Sequence, residues 1–249
     1  MPSTLPTHPL AVLPLKLWRP RWFDGVALAT GACAPDFAYA LDGIGVRIPT
    51  HTVAALLWWS LPAAVAVAWL ARRGAPAVAA HLPGFLREYG VLGRVRHPWY
   101  VTAGSALLGA VSHLLWDLVT HPYGPVAAWW PVRQASDDSA LLLMPLFIWY
   151  CGRRHLLRRW HGEPPAVPRR PLRFWGVAGA VAAAGVLVTY GAGDHHLAWP
   201  WFGYPMRPHV LGVRLMASGA LGLLAGALAV QSAGVVADRP AAAAPLPRR

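Results

Sequence analysis

Charge is what this chain is shortest of. Only 13% of its 249 residues are Asp, Glu, Lys or Arg, about half the fraction of roughly 25% usual in soluble domains. With 56% of residues hydrophobic, the balance points to a membrane protein. Cysteine is nearly missing: Cys33 and Cys151 stand far apart and in no CxxC pair, which excludes a disulfide framework and a thiolate zinc site. Lysine occurs once, at Lys16, so the formal charge of +12 rests on arginine. There is no internal repeat. A cleavable signal is not expected either, because the start is broken by Pro2, Pro6, Pro9 and Pro14 and leaves no apolar run behind a short basic segment. A GxSxG elbow, a Walker loop and an HExxH motif are all absent, which removes support for a serine nucleophile, a nucleotide and the common zincin route.

Long uncharged runs are what the chain does have. Residues 52–70 supply 19 uncharged positions, enough to cross a hydrocarbon core about 30 Å thick at roughly 1.5 Å per residue. Residues 99–120 form a second run, interrupted only by polar residues near its end. Residues 139–152 are short for a span and need Arg153, Arg154 and Arg158 to snorkel. Residues 174–192 and 210–231 complete the set, the last with Arg214 near its start. The expected architecture is all-α: an integral membrane helical bundle of about five transmembrane helices with a short N-terminal helical region. Residues 1–138 hold that region and the first two spans, 139–237 the other three, and the Ala/Pro-rich 238–249 are expected to be a disordered tail.

Arginine placement orients these spans. Residues 71–98 hold Arg72, Arg73, Arg87, Arg94 and Arg96, and 153–173 hold seven more arginines. The positive-inside rule makes both segments cytoplasmic. The alternate connections carry only Arg133 and Arg207, and the C-terminal residues return Arg239, Arg248 and Arg249 to the basic side. The same reasoning puts residues 1–50 outside, although they carry Lys16, Arg19, Arg21 and Arg47. The net charge then reads as a topology signal facing anionic lipid, with no nucleic-acid partner expected. Trp58/Trp59, Trp129/Trp130 and Trp199/Trp201 read as interfacial aromatic belts.

Within the second run lies SHLLWDLVTH, with His113, Asp117 and His121 spaced four apart. Side chains at this spacing share one helix face, and ionisable groups in a span are expensive enough to be read first as functional. His113 and Asp117 suit chelation of one ion, and Asp117 and His121 face a possible second, because the outer histidines lie about 12 Å apart along a helix axis. More ligands come from the N-terminal 51 residues: His8 in THPL, Asp36 in APDF, and His51 in PTHTV, where Thr50 is expected to cap the helix that follows. Six candidate metal ligands thus converge on one membrane face. GDHHLAW, with Asp194, His195 and His196, reads as a solvated outer loop.

The order THP, APDF, THT, then HLLWDxxTH resembles an uncharacterised family of bacterial integral membrane proteins, over about residues 1–125. Its ligand pattern is similar to the membrane-bound metal-dependent hydrolases and, more distantly, to secreted zinc-dependent phospholipases C. The second likeness implies a central metal site of Asp36, His51, His113 and Asp117. Asp117 would bridge to an ion held by His8, with His121 adjacent. The downstream HxxxE of the phospholipases is absent.

A His and carboxylate ligand set suits zinc, as one or two ions. Such a centre at a membrane surface is suited to hydrolysing a phosphodiester or lipid-linked substrate. Asp24, Asp42, Asp137 and Asp138 are the carboxylates left over as general bases. An ion transporter or a non-catalytic scaffold with an interhelical polar cluster are the alternative readings. The expected location is the bacterial cytoplasmic membrane, C-terminus inside and metal site near the outer face.

Overall fold

In the computed structural model, residues 4–41, 48–122, 124–126, 129–190 and 208–237 are described. All regular structure among them is helical. Helix α1 (Thr4–Trp18) is followed by α2 (Gly25–Cys33), a 3-10 segment (Ala34–Leu41), a π-helical turn (Leu56–Ser60) and α3 (Leu61–Ala80). A second 3-10 segment (Gly84–Arg94) leads to α4 (Trp99–Thr120), α5 (Trp129–Arg153), α6 (Leu156–His161), α7 (Pro171–Tyr190) and α8 (Pro208–Ala237).

Three helical stretches among the described residues are long and apolar enough to cross a membrane: Trp99–Thr120, Pro171–Thr189 and His209–Ser232. The other two expected spans lie in helices of different extent. Residues 52–70 begin as a turn and pass through the π-helical turn, where the Leu61 N–H reaches back to the Leu56 carbonyl just ahead of Pro62. Proline has no N–H to continue the regular ladder, which favours such a local adjustment. The helix then runs on past Arg72 and Arg73 to Ala80, where the sequence suggests a loop. Residues 139–152 are the second half of α5, whose first half carries Arg133, Asp137 and Asp138. The sequence-derived division between residues 138 and 139 therefore falls inside one helix. Asp42, Arg47, the 193–207 loop and the 238–249 tail lie outside the described residues.

The interior is built from small side chains. Ala27, Ala34, Ala64 and Ala106 are fully buried together, with Phe37, Leu61 and Val65 packed against them. Large apolar residues such as Leu57, Trp99, Leu115, Leu172 and Leu187 point outward, the inversion expected where lipid replaces water and helices associate through close backbone contact. Helices α2 and α4 meet backbone to backbone: a Cβ on Gly31 would sit 2.1 Å from the Ala106 carbonyl oxygen, and one on Gly109 would sit 2.3 Å from that of Leu28. The Thr30 hydroxyl donates to the Ala64 carbonyl at 3.0 Å and the Trp59 indole N–H to that of Ala34 at 3.0 Å, tying α2 and its extension to the first expected span.

Residues 1–50 do not all lie at one end of the bundle, contrary to the charge-based expectation. His8 packs beside Asp117, near the C-terminal end of α4. Lys16 lies over the Trp160 ring, and Asp24 pairs with Arg72 and Thr102, near the N-terminal end of α4. Helices α1 and α2 thus form a hairpin that runs from one end of α4 to the other and returns to Asp36. Lys16 therefore lies at the same end as Arg72.

The α2–α4 contact predicts that Gly109→Ala costs about 1–3 kcal/mol through overpacking. Gly104→Ala, on the same helix with nothing within 4 Å of its added Cβ, should instead gain up to about 1 kcal/mol from helix propensity. Thermal midpoints in detergent check the pair; equal midpoints would contradict the packing.

Candidate metal centre

The centre is assembled at the C-terminal end of α4. His113 and Asp117 are one turn apart on that helix, both buried. The ring of His113 is fixed from behind: its Nδ1 lies 2.7 Å from the Ala32 carbonyl oxygen, which can only accept, so Nδ1 carries the proton. In a neutral ring Nε2 then has a free lone pair directed into the cluster. A backbone carbonyl holding the second ring nitrogen is the usual arrangement behind a metal-bound imidazole.

Asp36 arrives from the 3-10 segment into which α2 passes at Ala34. A tighter winding follows Pro35 and leaves the carboxylate buried beneath the His51 ring. His51 sits in the turn before the π-helical segment, its Nε2 3.0 Å from Asp36 Oδ1. The capping expectation needs correction: the side chain that accepts from the turn, at Ala55 N–H, is Thr52, at 3.2 Å. Thr50 instead holds His51 through Nδ1 at 3.1 Å. A hydroxyl both donates and accepts, so Thr50 suits either tautomer of the ring.

Four ligand-type atoms face one another here. His51 Nε2 and His113 Nε2 are 3.3 Å apart, and Asp36 Oδ1 is 3.0 and 3.6 Å from them. Asp117 Oδ2 lies 3.7 Å from His51 Nε2 and 3.5 Å from His113 Nε2. Ligands around a tetrahedral ion at about 2.0–2.1 Å are about 3.3 Å apart along each edge, which the 3.0–3.6 Å separations among Asp36 Oδ1, His51 Nε2 and His113 Nε2 bracket. The other oxygen of Asp117 faces away, 3.8 Å from His8 Nε2 and 3.3 Å from His121 Nδ1. His8 stacks on His113 with ring centroids 3.8 Å apart. Two groups, His8–His113–Asp117 and Asp36–His51–His113, have their ligand atoms close enough to hold a metal ion.

All six sequence-derived residues, His8, Asp36, His51, His113, Asp117 and His121, thus meet in one cluster. His121 differs from expectation in one respect. It lies just past the end of α4 in extended backbone (φ −126°, ψ 153°), which swings its ring back toward Asp117 instead of continuing along the axis.

The first half of α5 covers the cluster, and this the sequence did not suggest. Thr7, beside His8, donates to Asp137 Oδ1 at 3.3 Å, and the Trp116 indole N–H donates to Ser136 at 3.1 Å. Arg133 lies 3.9 Å from Asp137. Of the remaining carboxylates, Asp137 therefore stands beside the centre, Asp138 is exposed, and Asp24 is at the opposite end of α4, bound to Arg72. Asp42, Asp194, His195 and His196 lie outside the described residues.

A family model matches residues 1–149, described as Domain of unknown function (DUF4184). The chain belongs to this DUF4184 family. The matched region contains all six cluster residues of this DUF4184 chain and runs through most of α5. No curated protein and no solved structure matches the chain.

Burial lowers the basicity of His121 below its ordinary 6.5, with Asp117 opposing and Arg133 adding to the fall. The unfolded chain takes up a proton near 6.5 that the folded form resists, so the fold binds fewer protons and loses stability as pH drops below that value. Asp36 adds a second, lower window: burial raises its carboxyl, but the His51 hydrogen bond and the His113 charge outweigh this and hold it below 3.8. Chelator-treated protein in detergent should show a thermal midpoint that falls from pH 7 toward 5 and more steeply below 4. His121→Gln should flatten the upper part of that slope; an unchanged slope would contradict the assignment.

Proposed function

We propose that this chain is a membrane-embedded, metal-dependent hydrolase whose centre holds one or two divalent ions, zinc being the best match to a mixed imidazole and carboxylate set. The observation that carries the reading is that the Nε2 atoms of His51 and His113, 3.3 Å apart, each lie 3.0–3.7 Å from a carboxylate oxygen of Asp36 and of Asp117. The second oxygen of Asp117, turned toward His8 and His121, suits it to bridge two ions.

Such an ion would supply acidified water and polarisation of a phosphoryl or carbonyl oxygen at neutral pH. The protein's own residues supply the rest. His113 is held as a lone-pair donor by Ala32, His51 is oriented by Thr50, and Asp137 is the carboxylate available to accept a proton.

The same reading gives five membrane spans, with the short second half of α5 and the turn leading into α3 completing the three long apolar helices. Contacts between the two basic segments favour one orientation. Arg158 donates to Glu88 at 2.7 Å, and Arg169 to the Ala80 carbonyl at 2.7 Å. Segments 71–98 and 153–173 therefore share an end, which the positive-inside rule makes cytoplasmic. The metal centre, at the other end of α4, then faces outward, where phosphodiesters and lipid headgroups are the available substrates. A bacterial cytoplasmic membrane is the setting this implies.

Zinc-loaded protein in detergent should turn over bis(p-nitrophenyl) phosphate or a fluorescent phospholipid and lose that activity on chelation. His113→Ala and Asp117→Asn should lower turnover by more than the roughly 10- to 100-fold that loss of an outer hydrogen-bond partner costs a metal site, and Thr50→Val should fall within that range. A protein that binds metal but hydrolyses neither substrate, and passes the ion across proteoliposomes, would overturn the hydrolase reading in favour of transport.

A further inference from the structure

A second polar centre lies at the other end of α4, eleven residues from His113 at Thr102, or about 16 Å along the axis. Asp24 is its carboxylate, fully buried and bound by Arg72, by the Thr102 hydroxyl at 2.7 Å and by the Ala27 N–H at 3.2 Å. Those contacts neutralise the carboxylate with one cation. Lys16 is a second cation, only 6% exposed, whose ammonium reaches two carbonyls among the described residues, Pro20 at 2.5 Å and Phe23 at 2.9 Å. An ammonium has a third proton to donate. Two buried side-chain nitrogens, Arg72 Nε and His97 Nε2, have no hydrogen-bond partner among the described residues, and both side chains interact electrostatically with Lys16.

Two histidines lie close by. His161, edge-on to His97 with centroids 5.8 Å apart, is brought down to about 4 by burial and by Lys16, and His97 is lowered for the same main reason, burial. Two cations against one carboxylate leave an unmatched positive charge among apolar side chains, and burying a charge without a counter-ion is costly. The unused Arg72 Nε–H is costly as well, at about 1–3 kcal/mol. An oxyanion answers both deficits at once. Trp160 lies under Lys16, and Arg19 stacks near Trp18 and Trp22 with ring distances of 5.0 and 5.7 Å, an aromatic and basic surround of the kind found at headgroup depth.

We propose that Lys16, Arg72 and His97 form an oxyanion site that takes a phosphate group, separate from the metal centre and at the opposite end of the bundle. The phosphate comes from a lipid headgroup or from free phosphate, and the two are separable.

The experiment uses the full chain, delipidated in dodecyl maltoside, which carries no phosphate. Inorganic phosphate and dioleoylphosphatidylglycerol are titrated separately, with phosphate-free dioleoylglycerol as control, and binding is read by tryptophan fluorescence and by mass spectrometry of the intact complex. Saturable one-to-one binding of phosphatidylglycerol but not of inorganic phosphate identifies a lipid site; binding of both identifies a site for phosphate itself. In either case Lys16→Met and Arg72→Lys, the latter keeping the charge opposite Asp24 but losing Nε, should weaken binding at least tenfold. Metal content should be unchanged in both. His97→Phe, which leaves the Asp24 pair intact, serves as the folded variant if Lys16→Met does not fold. No saturable binding of either phosphate ligand, equal binding of dioleoylglycerol, or unchanged affinity in the folded variants would overturn the proposal.

Discussion

The whole arrangement depends on how closely α2 can approach α4. Glycine at 31 and at 109 lets the two backbones come within a distance that no side chain on those positions would permit. That approach delivers the Ala32 carbonyl to His113 and, one turn further on, Asp36 to the same ring. It also brings the Asp24 N–H to Ser105 at the far end of the contact. A single tight seam of small residues thereby fixes two polar centres, one at each end of α4, with an apolar interior of alanines between them.

The cost of placing ionisable groups inside an apolar bundle explains why they appear as clusters. His8, Asp36, His113 and Asp117 are all buried, and each faces at least one other member of the set. Taken singly they would be poorly solvated; taken together they present imidazole nitrogens and carboxylate oxygens to a shared space, where a divalent ion would offset the desolvation of both carboxylates. The Asp24–Arg72 pair solves the same problem without an ion, through opposite charge and two further hydrogen bonds. The α1–α2 hairpin links these solutions, since Lys16 and Asp24 belong to one and His8 and Asp36 to the other.

Much of the candidate His/Asp cluster was legible in the sequence because its signals are local. The four-residue spacing of His113, Asp117 and His121 states a common face, Pro35 marks the change of winding ahead of Asp36, and the apolar run after His51 places that residue at a helix entrance. What escaped was set by contacts between distant segments. Arg72 reads as one of many topology arginines until Asp24, 48 residues earlier, is seen to pair with it. Gly31 and Gly109 are ordinary glycines in an Ala/Gly-rich chain until their neighbours are known. The cover supplied by α5 rests on Thr7 meeting Asp137 across 130 residues. The full extent of α3 escaped for a related reason: an arginine inside a helix is tolerated when a buried carboxylate waits for it, and composition alone cannot register that.

X-ray absorption at the metal edge of zinc-loaded protein tests the central claim most directly. The expected result is nitrogen and oxygen neighbours only, at about 2.0–2.2 Å, with the multiple-scattering pattern of imidazole that weakens in His51→Ala. A sulfur neighbour near about 2.3 Å, or a protein that takes up no ion when zinc is offered, would contradict it.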